Sequence, residues 1–361
     1  MIQSGSSGPS HQSQLSHQSQ LSHRTWPELQ PYQQALAEEL RDLFAERQGF
    51  LYDMLRYHLG WTDQSGRAVD APLPQNFQPL LALSCAEAIS GEFGPALPVA
   101  AAVELLYNFT LVHGDVQAGR VDDRDRPNIW WVWGPAQAIN AGDGLHSLGR
   151  AAILRLNQRG LPPEQVLRAV VTLDQTCLSL CEGQYLDLSF QDQLMVTAGE
   201  YYAMIERKSG ALTGGAALLG ALAAGADAAT QEAHRQFGIK LGLAWQISRD
   251  LADLWGVSGD GVTPSNLLNK KKSLPLIFAL EQGSNAVKRE LGGIYLKRVL
   301  EPADVARVIA ILEEVNARSR AESKAQELVN QALTSLSDAG VPPERRDKLE
   351  LLSQWALSGQ S

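Results

Sequence analysis

Three blocks of the chain place polar side chains inside otherwise apolar stretches of helical periodicity. Such groups are costly to bury unless they are paired or at work. The first block holds His113-Gly114-Asp115 with Gln117 and Ala118, followed by Asp122-Asp123-Arg124-Asp125-Arg126-Pro127. The second holds Gly183-Gln184 with Asp187, and then Lys208-Ser209-Gly210. The third holds Trp245-Gln246 with Arg249, Asp250 and Asp253, followed by Asn269-Lys270-Lys271-Lys272-Ser273-Leu274-Pro275. Carboxylates suit hard cations. Arginine and lysine suit anionic oxygens. Arg249 and Asp253 stand i,i+4, so an ion pair between them and a role for Arg249 toward an anionic ligand both remain open.

The elements that must position these blocks read as helices. Leu36, Leu40, Leu43 and Phe44 share a helical spacing that continues from Leu51 to Leu59 and stops at Gly60. A loop rich in Gly, Pro and Asp then runs to about Gln75. Further helices are expected over 78–89, 97–113, 137–159, 163–187, 197–225, 229–255, 274–281 and 302–336. Nothing alternates strand with helix as a parallel sheet requires. The fold class expected is all-α, one helical domain over 25–361 behind a disordered low-complexity tail at 1–24. In that tail the hexapeptide Ser-His-Gln-Ser-Gln-Leu occurs twice, from Ser10 and from Ser16.

Composition narrows the partners. The net charge of −9 argues against a nucleic acid, whose phosphates require a basic face. The apolar stretch 211–226 is short and rich in small residues, so no membrane span is expected. With no secretory leader visible and three cysteines in no paired framework, the chain reads as cytoplasmic, and Cys85, Cys177 and Cys181 read as small buried hydrophobes.

The order and spacing of the blocks resemble those of the trans-isoprenyl diphosphate synthase (polyprenyl synthetase) family, from about residue 30 to residue 355. Ala138-Ile139-Asn140-Ala141-Gly142-Asp143, Gly183-Gln184 with Asp187, Lys208-Ser209-Gly210 and Lys271-Lys272-Ser273-Leu274-Pro275 carry the resemblance. It implies a helical bundle around a central apolar cavity, usually in a dimer, that joins isopentenyl diphosphate to an allylic diphosphate with Mg²⁺ held by two Asp-Asp-x-x-Asp motifs.

This chain departs from that pattern at the charged positions. The first motif is reduced to Gly114, Asp115 and Ala118, and the second to Arg249, Asp250 and Asp253. Positions i and i+4 share a helix face, so the two convergent carboxylates of the first motif are the ones lost. Where family members carry Gly-Lys-Arg-x-Arg-Pro ahead of a helix, this chain has Pro74, Gln75, Asn76, Phe77, Gln78 and Pro79. Amides cannot neutralise a second diphosphate.

The resemblance assigns catalytic places to Asp115, Arg249, Asp250 and Asp253. It assigns substrate contacts to Phe109, Arg124, Gln184, Lys208, Gln246 and Lys271, with Phe109 at the position that limits chain length. Asp250 and Asp253 are the candidate metal ligands, for one Mg²⁺ ion at most. Snorkelling to the surface is the plain alternative for Lys208, a solvated loop for Lys271, and paired core amides for Gln184 and Gln246. The function expected is a terpene-synthase-like enzyme acting on one allylic prenyl diphosphate, of farnesyl to geranylgeranyl size, without isopentenyl diphosphate. A non-catalytic subunit of a heteromeric prenyl diphosphate synthase and a residual short-chain prenyltransferase are the alternatives. A homodimer, or a heterodimer with a related synthase, is expected.

Overall fold

A computed structural model describes residues 26–69, 76–120, 122–123, 126–193, 195–256 and 265–359. The polar leader, Gln75 and Arg124 lie outside the described residues. Among the described residues, sixteen α-helices run α1 (Gln30–Phe44), α2 (Phe50–His58), α3 (Phe77–Ser90), α4 (Leu97–Ala118), α5 (Ile129–Trp133), α6 (Pro135–Leu154), α7 (Pro163–Gln191), α8 (Ala198–Ile205), α9 (Ala211–Ala223), α10 (Ala228–Trp255), α11 (Ser265–Leu268), α12 (Leu274–Gln282), α13 (Asn285–Tyr295), α14 (Pro302–Glu314), α15 (Ala317–Asp338) and α16 (Asp347–Ser358). A two-residue antiparallel pair, Asp122–Asp123 with Arg126–Pro127, is the only sheet among the described residues. The fold is all-α, as expected.

Local chemistry explains the ends of these helices. Thr197 and Glu200 form a reciprocal capping box at α8, and the side chains of Asp227 and Ser284 accept the first free N–H groups of α10 and α13. Gly91 ends α3 in the left-handed region, at φ +84°. Three expectations differ. Residues 197–225 are not one regular helix, because a π-helical turn at Glu206–Gly210 separates α8 from α9. Residues 302–336 split at Asn316, whose φ of +55° no α-helix continues through. The helices α13 and α16, not foreseen, bury Leu291, Ile294, Leu349, Leu352 and Trp355.

The core is built around α3, α4, α9 and α10. Phe77, Tyr107, Trp245 and Trp355 form a chain of aromatic contacts with ring centroids 6.2–6.4 Å apart. The helix α4 is long and apolar enough to cross a membrane, but it is 72% buried within this fold. Small residues let the central helices approach closely. A Cβ at Gly242 of α10 would stand 2.7 Å from the carbonyl oxygen of Ser209. A smaller apolar cluster joins α12, α13 and α14 through Leu276, Leu291, Val305 and Ile311. Outside the core, Leu154 of α6 and Leu167, Val171, Leu178 and Tyr185 of α7 leave an exposed apolar stripe.

Candidate functional site

The site is assembled where α7, the π turn, α10 and the loop before α12 meet. Its backbone depends on two close approaches. A Cβ at Gly183 would lie 2.5 Å from the Lys208 backbone nitrogen, so only glycine lets α7 lie against the π turn. The turn itself widens the helix locally, a feature that often marks functional sites, and it carries Lys208 and Ser209.

Asp187 is the electrostatic centre. Its Oδ2 accepts from Lys208 Nζ at 2.7 Å and from Lys271 Nζ at 3.2 Å. Burial acts to raise the Asp187 pKa, but the two ammonium groups hold it well below the usual carboxylate range. Burial also pushes the Lys208 ammonium down, against the pull of Asp187. Lys208 therefore points inward and does not snorkel, and Lys271 is an ion-pair partner and not a solvated loop residue.

A second line of hydrogen bonds runs beside it. Ser209 Oγ donates to Gln246 Oε1 at 2.7 Å, and Gln246 Nε2 donates to Asp250 Oδ1 at 2.9 Å. The buried Tyr201 hydroxyl donates to Asp250 Oδ2 at 2.8 Å. Burial pushes Asp250 up to about 6 despite these donors. Gln246 is thus a paired amide, and so is Gln184, which donates to Gln117 Oε1 at 2.7 Å and ties α7 to α4. Asp253 accepts the Asn266 backbone N–H at 3.2 Å.

Arg249 and Asp253 form no ion pair with each other among the described residues; the Arg249 guanidinium instead lies 4.9 Å over the Trp245 ring. Asp115, nearly buried, pairs with Arg120 at 2.9 Å. Phe109 packs between His113 and His146, with ring centroids 4.7 and 5.5 Å away, which places it at the α4–α6 contact.

Asp187, Lys208, Gln246, Asp250, Asn266, Lys271, Lys272 and Ser273 surround a space of about 20 Å³, roughly the room of one water. The structure thus brings together Lys208, Gln246, Asp250 and Lys271 of the expected residues. Asp115, Phe109 and Gln184 sit on or against α4. Tyr201, Asn266 and Arg120 were not foreseen. A tyrosine at the fourth position of an amphipathic helix carries no signal, whereas Arg120, a lone cation just past a helix-ending glycine, carried one. Cys181 is exposed, one turn beyond buried Cys177, so it is not the core hydrophobe expected.

The side chains present fit a cluster of Mg²⁺ ions poorly. Gly114 and Ala118 offer no donor, and Asp115 is engaged by Arg120. Both oxygens of Asp250 already accept hydrogen bonds. No group of three His, Cys, Asp or Glu side chains converges among the described residues.

Comparison with known proteins gives a consistent result. Residues 71–312 match the family described as polyprenyl synthetase. The chain is 38% identical to a geranylgeranyl diphosphate synthase of Mycobacterium tuberculosis over 81% of this chain and 83% of that protein. It is 30% identical to a (2E,6E)-farnesyl diphosphate synthase of Mycobacterium bovis over 94% of each. The crystal structure of a polyprenyl synthetase from Streptomyces coelicolor A3(2) superimposes with a TM-score of 0.82 at 31% identity, covering 90% of this chain and 97% of that one.

Proposed function

The chain belongs to the polyprenyl synthetase family, and from that premise we propose that it binds one allylic prenyl diphosphate and converts it without condensing isopentenyl diphosphate. It is an enzyme of isoprenoid metabolism that uses a prenyl diphosphate. The observation that supports the narrower reading is the contrast between two places. At one, Lys208 and Lys271 converge on a single anion, Asp187. At the other, Asn76 and Gln78 stand where the family carries cations, and both are buried in the core. Asn76 donates to Glu104 Oε1 at 2.7 Å, and neither polar atom of the Gln78 amide has a partner among the described residues. A buried carboxylate and two amides form a poor cradle for a second diphosphate.

In this reading the diphosphate takes the place of the Asp187 carboxylate between the lysines. The prenyl chain follows α4 toward Phe109, and the aromatic rings of Tyr107 and Trp245 face the reacting carbon. Arg124 belongs to the same proposal. The exposed stripe on α6 and α7 is the surface through which a second copy, or a related synthase, would dock.

The 38% identity to a geranylgeranyl diphosphate synthase favours a second reading, residual chain elongation. One experiment separates them. The purified protein is incubated with geranyl, farnesyl and geranylgeranyl diphosphates, each with and without isopentenyl diphosphate and Mg²⁺. Hydrocarbon or alcohol products independent of isopentenyl diphosphate are expected by mass spectrometry. Longer prenyl diphosphates would instead establish elongation. Products that appear only when an intact synthase is added would point to a subunit role.

A further inference from the structure

The places emptied of carboxylates are not simply vacant; each has an arginine beside it. A Cβ at Gly114 would lie 3.8 Å from the Arg120 guanidinium, which is held there by its 2.9 Å ion pair with Asp115. Arg120 follows Gly119, the left-handed residue that ends α4, so its charge also lies at the favourable, negative end of that helix dipole. At the second place Arg249 stands where the family has its leading aspartate, braced on the Trp245 ring.

Neither arginine borders the small space beside Asp187, but a chain of contacts links each of them to its walls. Gly114 and Gln117 are one turn apart on α4, and Gln117 is hydrogen-bonded to Gln184, one turn before Asp187 on α7. Tyr107, two turns before Gly114 on the same face of α4, meets Trp245, and Arg249 lies one turn beyond Trp245 on α10. Arg249 is also close enough to act electrostatically on Lys208. Guanidinium groups present a planar fork of donors that matches phosphate oxygens, keep their charge at every physiological pH, and need no free ion in solution.

We propose that Arg120 and Arg249 replace the divalent metal, so that the protein holds a prenyl diphosphate between four organic cations, Arg120, Lys208, Arg249 and Lys271, without metal. The inference rests on the single-diphosphate reading above. Arg249 supplies a positive charge and Arg120, whose charge is shared with Asp115, supplies a fork of donors, while the loss of the second anionic substrate lowers the charge to be balanced.

The test is calorimetric titration with farnesyl thiodiphosphate, an analogue whose bond to the leaving group resists cleavage, in EDTA and in Mg²⁺. The wild type should bind with affinities within about threefold in the two conditions. Arg120→Ala and Arg249→Ala should each weaken binding in EDTA by roughly tenfold to hundredfold, as expected for loss of one charge-assisted contact, and Arg120→Lys should recover part of it. The combined reversal Gly114→Asp, Ala118→Asp and Arg249→Asp should bind weakly in EDTA and regain affinity with Mg²⁺. Wild-type binding that collapses in EDTA and returns with Mg²⁺ would overturn the inference and leave the single-substrate reading standing. No binding in either condition would overturn both. The wild-type comparison keeps the test decisive even where a variant fails to fold.

Discussion

Replacing Asp187 by asparagine removes the one carboxylate that both Lys208 and Lys271 address, while keeping its shape. Breaking a buried ion pair by removing one partner costs about 3–5 kcal/mol, because the charge left behind has no compensation. Here two charges are left behind, but Lys208 and Lys271 remain 24% and 28% exposed and can recover part of their hydration. The amide oxygen can still accept from one of them. The expected loss is therefore about 2–3 kcal/mol, read as a shift of the urea midpoint at pH 7 with an unchanged slope. Sign and window follow from the depressed Asp187 pKa. Its stabilisation is present above about pH 4, the unfolded carboxylate value, and is lost only as pH falls below that. The difference between wild type and variant should shrink in strong acid. Inorganic pyrophosphate should stabilise Asp187→Asn more than it stabilises the wild type, since it would supply the missing anion. A loss below about 1 kcal/mol, or equal stabilisation of both proteins by pyrophosphate, would refute the view that Asp187 occupies an anion position.

Asp250 should show the opposite pH dependence. Its folded pKa is raised from about 4 to about 6, so its contribution favours folding at low pH and is lost as pH rises through that interval, by about 2–3 kcal/mol. The stability of Asp250→Asn relative to wild type should rise between pH 4 and 6, and a flat difference across that range would count against the assigned burial. Gly183→Ala would press a methyl group against the Lys208 backbone, 2.5 Å from its nitrogen, and should cost about 2–3 kcal/mol with weakened pyrophosphate binding; a thermal melt within a degree of wild type would contradict the close approach. Gln78→Met should stabilise the protein by about 1–2 kcal/mol, because it removes a buried amide with no partner among the described residues, and chemical denaturation showing a loss would mean that the amide is satisfied.

The helices were legible because their stops are chemical. Gly60 and Gly91 end helices in sequence as in structure, and the apolar periodicity before them is strong, whereas the helix expected over 97–113 runs on through Gly114 and stops only at Gly119. The split at Asn316 was not legible, since nothing in the alternation of Glu and apolar residues around it announces a left-handed backbone. At the site, motif spacing located Lys208, Gln246, Asp250 and Lys271 as neighbours, because the π turn, α10 and the loop before α12 each carry a recognisable block. What spacing could not give was the pairing. The i,i+4 relation of Arg249 to Asp253 suggested an ion pair, yet the same helix face offered the Trp245 ring, and the ring is where the guanidinium lies. Arg120 pairs with Asp115 across the end of its helix and Tyr201 with Asp250 far along the chain, in neither case at a helical repeat.

The π turn at Glu206–Gly210 has a consequence of a different kind. A π turn holds more residues than an α turn, so it stores one residue's worth of extra chain within an otherwise continuous helical path. Removing a single residue there would let the path close up as ordinary helix with α9 still in phase, so that only the widened turn carrying Lys208 and Ser209 is lost. Thr213, Gly214 and Gly215 of α9 would keep their packing against α10 and α7, while Lys208 would leave Asp187. Substitutions at the charged positions alter what this site binds, whereas a change of length by one codon would decide whether the site exists.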